Sequence, residues 1–372
     1  MKPAQPITSP TPLPTATVSP GSSTMRAVLV TSERQLELRD LARPPDPQGD
    51  EVQVAIRCVA LNHIDVWGWR GMAFANRKLP IIAGAEAAGV VVKTGGAVSG
   101  LKEGDVVAIY GAKTCGACPA CRDGRDNFCD VLAGMYGFHI DGFLCEYANV
   151  PARLAVKAPA GLEPLAAAMA PITFGTVEHM LFDNAKLKSG ETILIHAGGS
   201  GIGSAAIQLA KAAGAVVIAT VGSNAKIARA AELGAEHVIN YNEERFEGRV
   251  RKITGRRGVD VVFEHVGPKT WPGSMLSMVR GGRLVTCGST TGMVSEINLN
   301  LLFRQQLRLF GSFGCTLRNM AAAMQKMAAG LAHPVIDTRI ELEQFDDGLR
   351  RLESRDVFGK IVIEFSGSPS DR

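Results

Sequence analysis

The rhythm of apolar and polar positions changes twice along the chain. From about residue 25 to residue 150, short apolar runs recur at 26–30, 51–57, 89–93 and 105–110. Pro, Gly and Asn punctuate them, which predicts a compact antiparallel β domain. From 163 to 184 the pattern turns helical. Beyond it, strand-like runs at 192–195, 215–220, 237–240, 259–263, 282–287 and 307–310 alternate with helical stretches such as 225–233. Regular alternation of this kind requires right-handed crossovers and a parallel sheet covered on both faces. From residue 317 the chain returns to a helix and a final strand at 360–364. That tail is expected to close the first domain, since the parallel sheet already has its strands. The cleft between the two domains is the expected active site.

One stretch organises this plan. The run TILIHAGGSGIGSAAIQLA at 192–210 is a β-branched strand, a cluster of glycines and an Ala-rich helix in direct succession. Gly198, Gly199, Ser200, Gly201, Ile202 and Gly203 form a turn that lets backbone approach a dinucleotide pyrophosphate. The first helical N–H groups would then point at its oxygens.

Composition narrows the classes. The 372 residues suffice for two cores, and the net charge of +4 with scattered basic residues gives no nucleic-acid surface. No uninterrupted apolar run reaches ~18 residues, so no membrane span is expected. Residues 1–24, rich in Pro, Ser and Thr, lack the features of a signal or transit peptide and read as a disordered tail. Of eight cysteines, Cys115, Cys118, Cys121 and Cys129 fall in one short loop. In what reads as a cytoplasmic enzyme this spacing predicts a structural Zn²⁺ held by four thiolates. Cys58, Cys145, Cys287 and Cys315 read as buried small side chains.

With these features the chain resembles the medium-chain dehydrogenase/reductase superfamily from Met25 to Phe365. The resemblance implies an α/β architecture: a GroES-like β-rich catalytic domain (25–173, with the zinc lobe at about 112–132), a Rossmann doubly wound parallel sheet (174–315), and a return to the catalytic domain (316–372). It also implies hydride transfer with a nicotinamide cofactor. Zinc alcohol dehydrogenases of the superfamily bind a catalytic zinc through positions that here read Asn62, Ala85 and Ile172. Asn, Ala and Ile cannot form a three-ligand site with an open fourth position. The segment Asn62-His-Ile-Asp65-Val-Trp67-Gly-Trp69-Arg70-Gly71 instead is similar to the zinc-free quinone oxidoreductase branch, with one residue fewer between Arg and Gly. The protein thus reads as a hybrid, with the zinc lobe of one branch and the active-site residues of the other.

An NAD site places an acidic residue ~20 positions beyond the glycines. Here that place reads TVGSNAK at 220–226, with no carboxylate until Glu232. Ser223 and Lys226 suit a 2′-phosphate, and Tyr241 matches the tyrosine the quinone reductases place beside it, so NADPH is the expected cofactor. Lys226 read alone is equally a solvated helix residue. By resemblance Thr176 backs the nicotinamide, and Gly288, Ser289 and Thr290 approach it from a strand end. His265 and Gly267 are weaker candidates there, and Lys360 either reaches the cofactor from the last strand or, the favoured reading, lies at the surface. The catalytic candidates are Asn62, as donor to a substrate carbonyl, His63 as proton source, Asp65 as loop anchor, and Trp67 (with Trp69) as substrate wall.

These readings converge on an NADPH-dependent reductase of quinones or α,β-unsaturated carbonyls, acting on a small molecule as a homodimer joined along the apolar edge at 307–310. The alternatives are an alcohol dehydrogenase with a zinc site remodelled around His63, Asp65 or Glu86, and an NADPH-binding protein without turnover.

Overall fold

The computed structural model describes residues 23–71 and 77–365; the first 22 residues of the proposed tail lie outside the described residues. Two sheets dominate. The first has seven strands, in the order Ala155–Lys157, Val106–Ile109, Ala87–Thr94, Glu51–Ala60, Lys360–Glu364 and Ile336–Ile340, with Tyr147–Pro151 also paired to Glu51–Ala60. Its pairings are antiparallel except Ile336–Ile340 with Lys360–Glu364. The C-terminal tail therefore inserts beside the long strand Glu51–Ala60.

The second sheet has six parallel strands: His237–Asn240, Val216–Val221, Thr192–Ile195, Val259–Glu264, Met278–Thr286 and Arg308–Gly311. In order of appearance this is 3-2-1-4-5-6, so the direction of winding switches between Thr192–Ile195 and Val259–Glu264. Ligands of open α/β sheets bind outside the carboxyl ends of the strands at such a switch. The expected edge strand at 307–310 is observed as Arg308–Gly311, and the helix expected at 225–233 divides into a short 3₁₀ turn, Asn224–Lys226, and Ile227–Glu232.

One core joins the two sheets. Val54, Ile56 and Val59 of the first domain share it with Ile193, Ile195 and Val217, and a second core under the far face is built on Leu194, Ile218 and Val262. The helical run Pro164–Asn184 lies between the domains. By length and its mean hydropathy of 1.3 it could cross a membrane, which the reading of uninterrupted apolar runs did not register; 78% of its apolar window is buried in this shared core. Pro171 sits inside it. Without an N–H, proline cannot continue an α-helical ladder, and the chain widens into a π turn at Ala170–Phe174. The consequence appears in the site.

Candidate active site

The glycine turn is built as its sequence requires. Ser200 caps the helix Gly201–Ala212, its Oγ accepting the Gly203 N–H at 2.9 Å. The first two helical N–H groups, on Gly201 and Ile202, have no acceptor within the helix. A Cβ on Gly203 would collide with the Ala197 carbonyl, and one on Gly201 with the Lys360 side chain. A cradle this close to backbone, at a helix N-terminus and at the sheet's switch point, fits a pyrophosphate. Gly359 at the start of the last strand donates its N–H to the Gly199 carbonyl at 2.8 Å, so the C-terminal strand of the first domain is tied to this turn.

That tie brings in a residue misplaced by the sequence reading. Lys360 is 5% exposed, not a surface residue. Its Nζ donates to Asn62 Oδ1 at 2.7 Å and to Glu86 Oε2 at 2.9 Å. Glu86, fully buried, also accepts the Thr173 hydroxyl at 2.8 Å and the backbone N–H groups of Ile172 at 2.7 Å and Thr173 at 2.5 Å. Those two N–H groups lie in the π turn at Pro171, beyond the reach of regular helical bonding. The buried carboxylate is thus paired with an ammonium and hydrogen-bonded on both oxygens, the condition under which a buried ion pair is tolerated.

Asn62 is committed to the same cluster. Its Nδ2 donates to the Ala60 carbonyl at 3.0 Å and to Glu86 Oε2 at 2.9 Å. Both amide hydrogens are occupied, so the expected role of Asn62 as donor to substrate is corrected: it positions the lysine. Asp65 is an anchor, accepting the Asn62 N–H at 2.8 Å and the Ala85 N–H at 3.1 Å, with burial pushing its carboxyl up to about 7 against those two bonds. His63 is held neutral. Burial, with the neighbouring charges of His265, Arg355 and Lys360, lowers it to about 4. Trp67 on the helix His63–Trp69 is partly exposed, whereas Trp69 is fully buried between Arg34 and Arg350 and forms core, not a substrate wall.

Ile172 lines a small cleft of about 60 Å³ walled mainly by apolar groups, among them Tyr110, Gly111, Leu132, Met135 and Phe313.

On the nucleotide side, Thr176 is buried in the short helix Gly175–Glu178. Gly288–Thr290 meets the turn at His265–Gly267: a Cβ on Gly288 would touch the His265 carbonyl, and Thr290 Oγ1 donates to the Val266 carbonyl at 3.4 Å. His265 itself donates to the His196 carbonyl at 2.9 Å and is buried, a structural position. Glu264, overlooked in the sequence, orders this turn by accepting the N–H groups of Val266 and Gly267 at 2.7 and 3.1 Å.

Ser223 and Tyr241 follow adjacent strands, with the Tyr241 hydroxyl against Gly222. Lys226 reaches Gly199, but its Nζ donates inward to the carbonyls of Val357 at 2.9 Å and Arg355 at 3.2 Å. Two of its three N–H bonds are therefore unavailable to a 2′-phosphate. A carboxylate also stands nearby in the turn after the next strand, where Asn224 donates to Glu243.

The sulfurs of Cys115, Cys118, Cys121 and Cys129 lie within 4.8 Å of one another. A zinc tetrahedron with Zn–S bonds of about 2.3 Å has S···S edges of about 3.8 Å. Cys115 lies 3.6 Å from Cys129 and 4.0 Å from Cys121. The N–H groups of Ala117 and Cys118 lower the Cys115 thiol to about 6, while burial pushes Cys121 up to about 12. Four sulfurs at this spacing, one of them costly to ionise alone, fit a divalent cation. Among the described residues no other group of three His, Cys, Asp or Glu side chains could hold a metal. Of the other cysteines, Cys58, Cys145 and Cys315 are buried and Cys287 is only partly so.

Comparison with known proteins places the fold. Residues 48–160 match the alcohol dehydrogenase GroES-like domain, and residues 201–329 the zinc-binding dehydrogenase family. The chain is 35% identical to a quinone oxidoreductase of Salmonella typhimurium over 70% of its own length and 71% of that protein. It is 29% identical to an acryloyl-coenzyme A reductase of Metallosphaera sedula, covering 91% of this chain and 99% of that one. Among solved structures, an NAD-dependent alcohol dehydrogenase superposes with a TM-score of 0.87 at 35% identity, covering 92% of this chain and all of that one. The fold and site define a two-domain oxidoreductase. The chain belongs to the medium-chain dehydrogenase/reductase superfamily.

Proposed function

We propose that the protein reduces a quinone or an α,β-unsaturated carbonyl with NADPH, without a catalytic metal. The observation that carries this reading is Lys360. At the position where zinc-dependent relatives place a metal ligand, Asn62 instead holds an ammonium, and Glu86 neutralises it from behind. An ammonium has three N–H bonds. With two engaged, the third would donate to a substrate oxygen on which negative charge develops.

Bound NADPH would supply the hydride. The glycine turn would hold its pyrophosphate, Thr176 and Gly288–Thr290 would flank the nicotinamide, and Ser223 and Tyr241 would meet the 2′-phosphate. The apolar cleft would take the carbon skeleton of the substrate. The reductases of quinones and of acryloyl-coenzyme A among the relatives support this substrate class. The remodelled-zinc alternative gains no support, because the oxygens of Asp65 and Glu86 are spent on other bonds. One structural Zn²⁺ on the four cysteines and a homodimer along Arg308–Gly311 belong to the same reading. The exposure of Leu299 and Phe303 beside that strand supports the dimer.

The test is turnover of NADPH with a panel of simple quinones and 2-enals. Oxidation of NADPH coupled to their reduction is expected. Tight NADPH binding with no turnover across the panel would leave the non-catalytic alternative standing.

A further inference from the structure

The cysteine loop carries more than a metal-binding pattern. Asp126 and Asn127 lie between Cys121 and Cys129, and both reach out of the loop to the segment Phe313–Leu317. Asp126 Oδ2 accepts the Leu317 N–H at 3.2 Å, and Asn127 Nδ2 donates to the Phe313 carbonyl at 3.2 Å. Asn127 Nδ2 also lies 3.1 Å from His179 Nε2. His179 Nδ1 meets Asp183 at 3.0 Å, and Asp183 accepts from Asn319 at 2.9 Å. Asn319 closes the N-terminal box of the helix Leu317–Ala328 with Thr316. The loop, the interdomain helix and this helix are therefore joined by one chain of hydrogen bonds.

Phe313, Gly314 and Cys315 form one wall of the substrate cleft, while Asn127 and Leu132 of the loop form part of another. The loop's own elements are short. They are two-residue strands, a four-residue helix and a three-residue 3₁₀ turn at Asp126–Phe128, and Phe128 and Val131 face solvent. A segment this poor in buried apolar contacts depends on a cross-link for its conformation.

We infer that the four-cysteine loop is a positioning device for the substrate pocket: the metal it fits fixes Asp126 and Asn127, and these hold Phe313–Leu317 to set the width of the cleft's apolar end. This inference rests on the proposed substrate class only for its kinetic consequence. Its structural consequence stands apart.

The experiment is amide hydrogen exchange on the zinc-loaded protein, with and without chelator, and on Asp126→Ala and Asn127→Leu, which keep all four cysteines. Exchange across 313–319 is expected to accelerate by about tenfold or more in each case, since each anchoring bond contributes on the scale of one such factor. Thr192–Ile195 and Val259–Glu264 should stay protected in both variants, with zinc content and NADPH affinity unchanged. For 2-enals of increasing chain length, KM should rise most for the longest while kcat holds. Unchanged exchange at 313–319 in the two variants would overturn the inference, as would equal acceleration across both sheets. Absence of turnover with every enal would count against the proposed function and leave the exchange result to decide this one.

Discussion

The two places that the family resemblance marks as metal sites differ sharply in this chain. In the loop at 115–129 four thiol groups lie at tetrahedral spacing, with backbone N–H groups directed at the sulfur of Cys115. At the positions that the resemblance marks for a catalytic metal, Asn62, Ala85 and Ile172 carry an amide, a methyl and an alkyl group, and a lysine from the far end of the chain stands beside the amide. The comparison teaches that, under the proposed function, the cation beside Asn62 is an ammonium held in a buried ion pair, where the cysteine loop offers a ligand set. A metal can be stripped and replaced. An ammonium fixed by Glu86 and Asn62 cannot, and its strength depends on burial.

The comparison breaks most sharply at Lys360. Lys360→Met removes the cation and leaves Glu86 buried and unpaired, so the fold should lose about 3–5 kcal/mol and turnover should fall by about 10²-fold or more. The double change with Glu86→Gln separates the two effects. Thermal melting should recover toward wild type while kcat does not, and Lys360→Arg should retain part of the rate. Recovery of kcat in the double variant would reduce Lys360 to a structural residue.

At the other place, Cys121→Ser removes a buried ligand. Zinc content should drop from one per chain toward zero, and the melting temperature should fall by several degrees, the scale set by losing one or two kcal/mol in a chain of this size. NADPH affinity should stay within about twofold, since the glycine turn lies in the other domain.

A smaller effect sharpens the cofactor reading. Ser223→Asp puts a carboxylate beside Tyr241, where it would repel a 2′-phosphate and accept from a ribose hydroxyl. Preference in kcat/KM should move from NADPH toward NADH by about tenfold or more, a shift of roughly 1.4 kcal/mol. Wild-type preference for NADH would reject the assignment outright, a pointed outcome given the cofactor of the superposed alcohol dehydrogenase.

The smallest effect concerns His63. Held neutral down to about pH 4, against an ordinary value of 6.5, it binds fewer protons folded than unfolded between those limits. Its contribution to stability is therefore constant above pH 6.5 and declines as the pH falls through the window. His63→Gln should flatten that acid limb in thermal melts and change kcat at pH 7–8 by less than about threefold. A His63 titration near 6.5 by NMR would contradict the burial argument.

Much of this was legible in the sequence for local reasons. The parallel sheet announced itself because each strand is buried on both faces and reads as a short apolar run, and the glycine turn because backbone collisions leave no room for a Cβ at Gly203. The cysteine loop was legible because its ligands lie within fifteen residues. The cleft was not, because its parts are long-range. Lys360 is 298 positions from Asn62, and nothing in the run GKIVIE marks the lysine as buried. Glu86 enters the sequence reading only as a ligand of the remodelled-zinc alternative, not as the partner of a lysine. The available signal was Pro171 inside an apolar helix, since a proline there frees backbone N–H groups that need an acceptor. Lys226 shows another long-range effect: its chemistry suits a phosphate, while the carbonyls that engage two of its N–H groups come from 355–357 on the other domain.

The most direct measurement joins metal content to turnover. Protein purified without added metal is analysed for zinc and, in the same sample, for NADPH-dependent reduction of a quinone or 2-enal, before and after soaking in excess Zn²⁺. The expected result is one zinc per chain, absent from Cys121→Ser, with full activity that extra zinc does not raise. A second zinc held beside Asn62 and Ala85, with activity that rises and falls with its occupancy, would contradict the claim that hydride transfer in this cleft needs no metal.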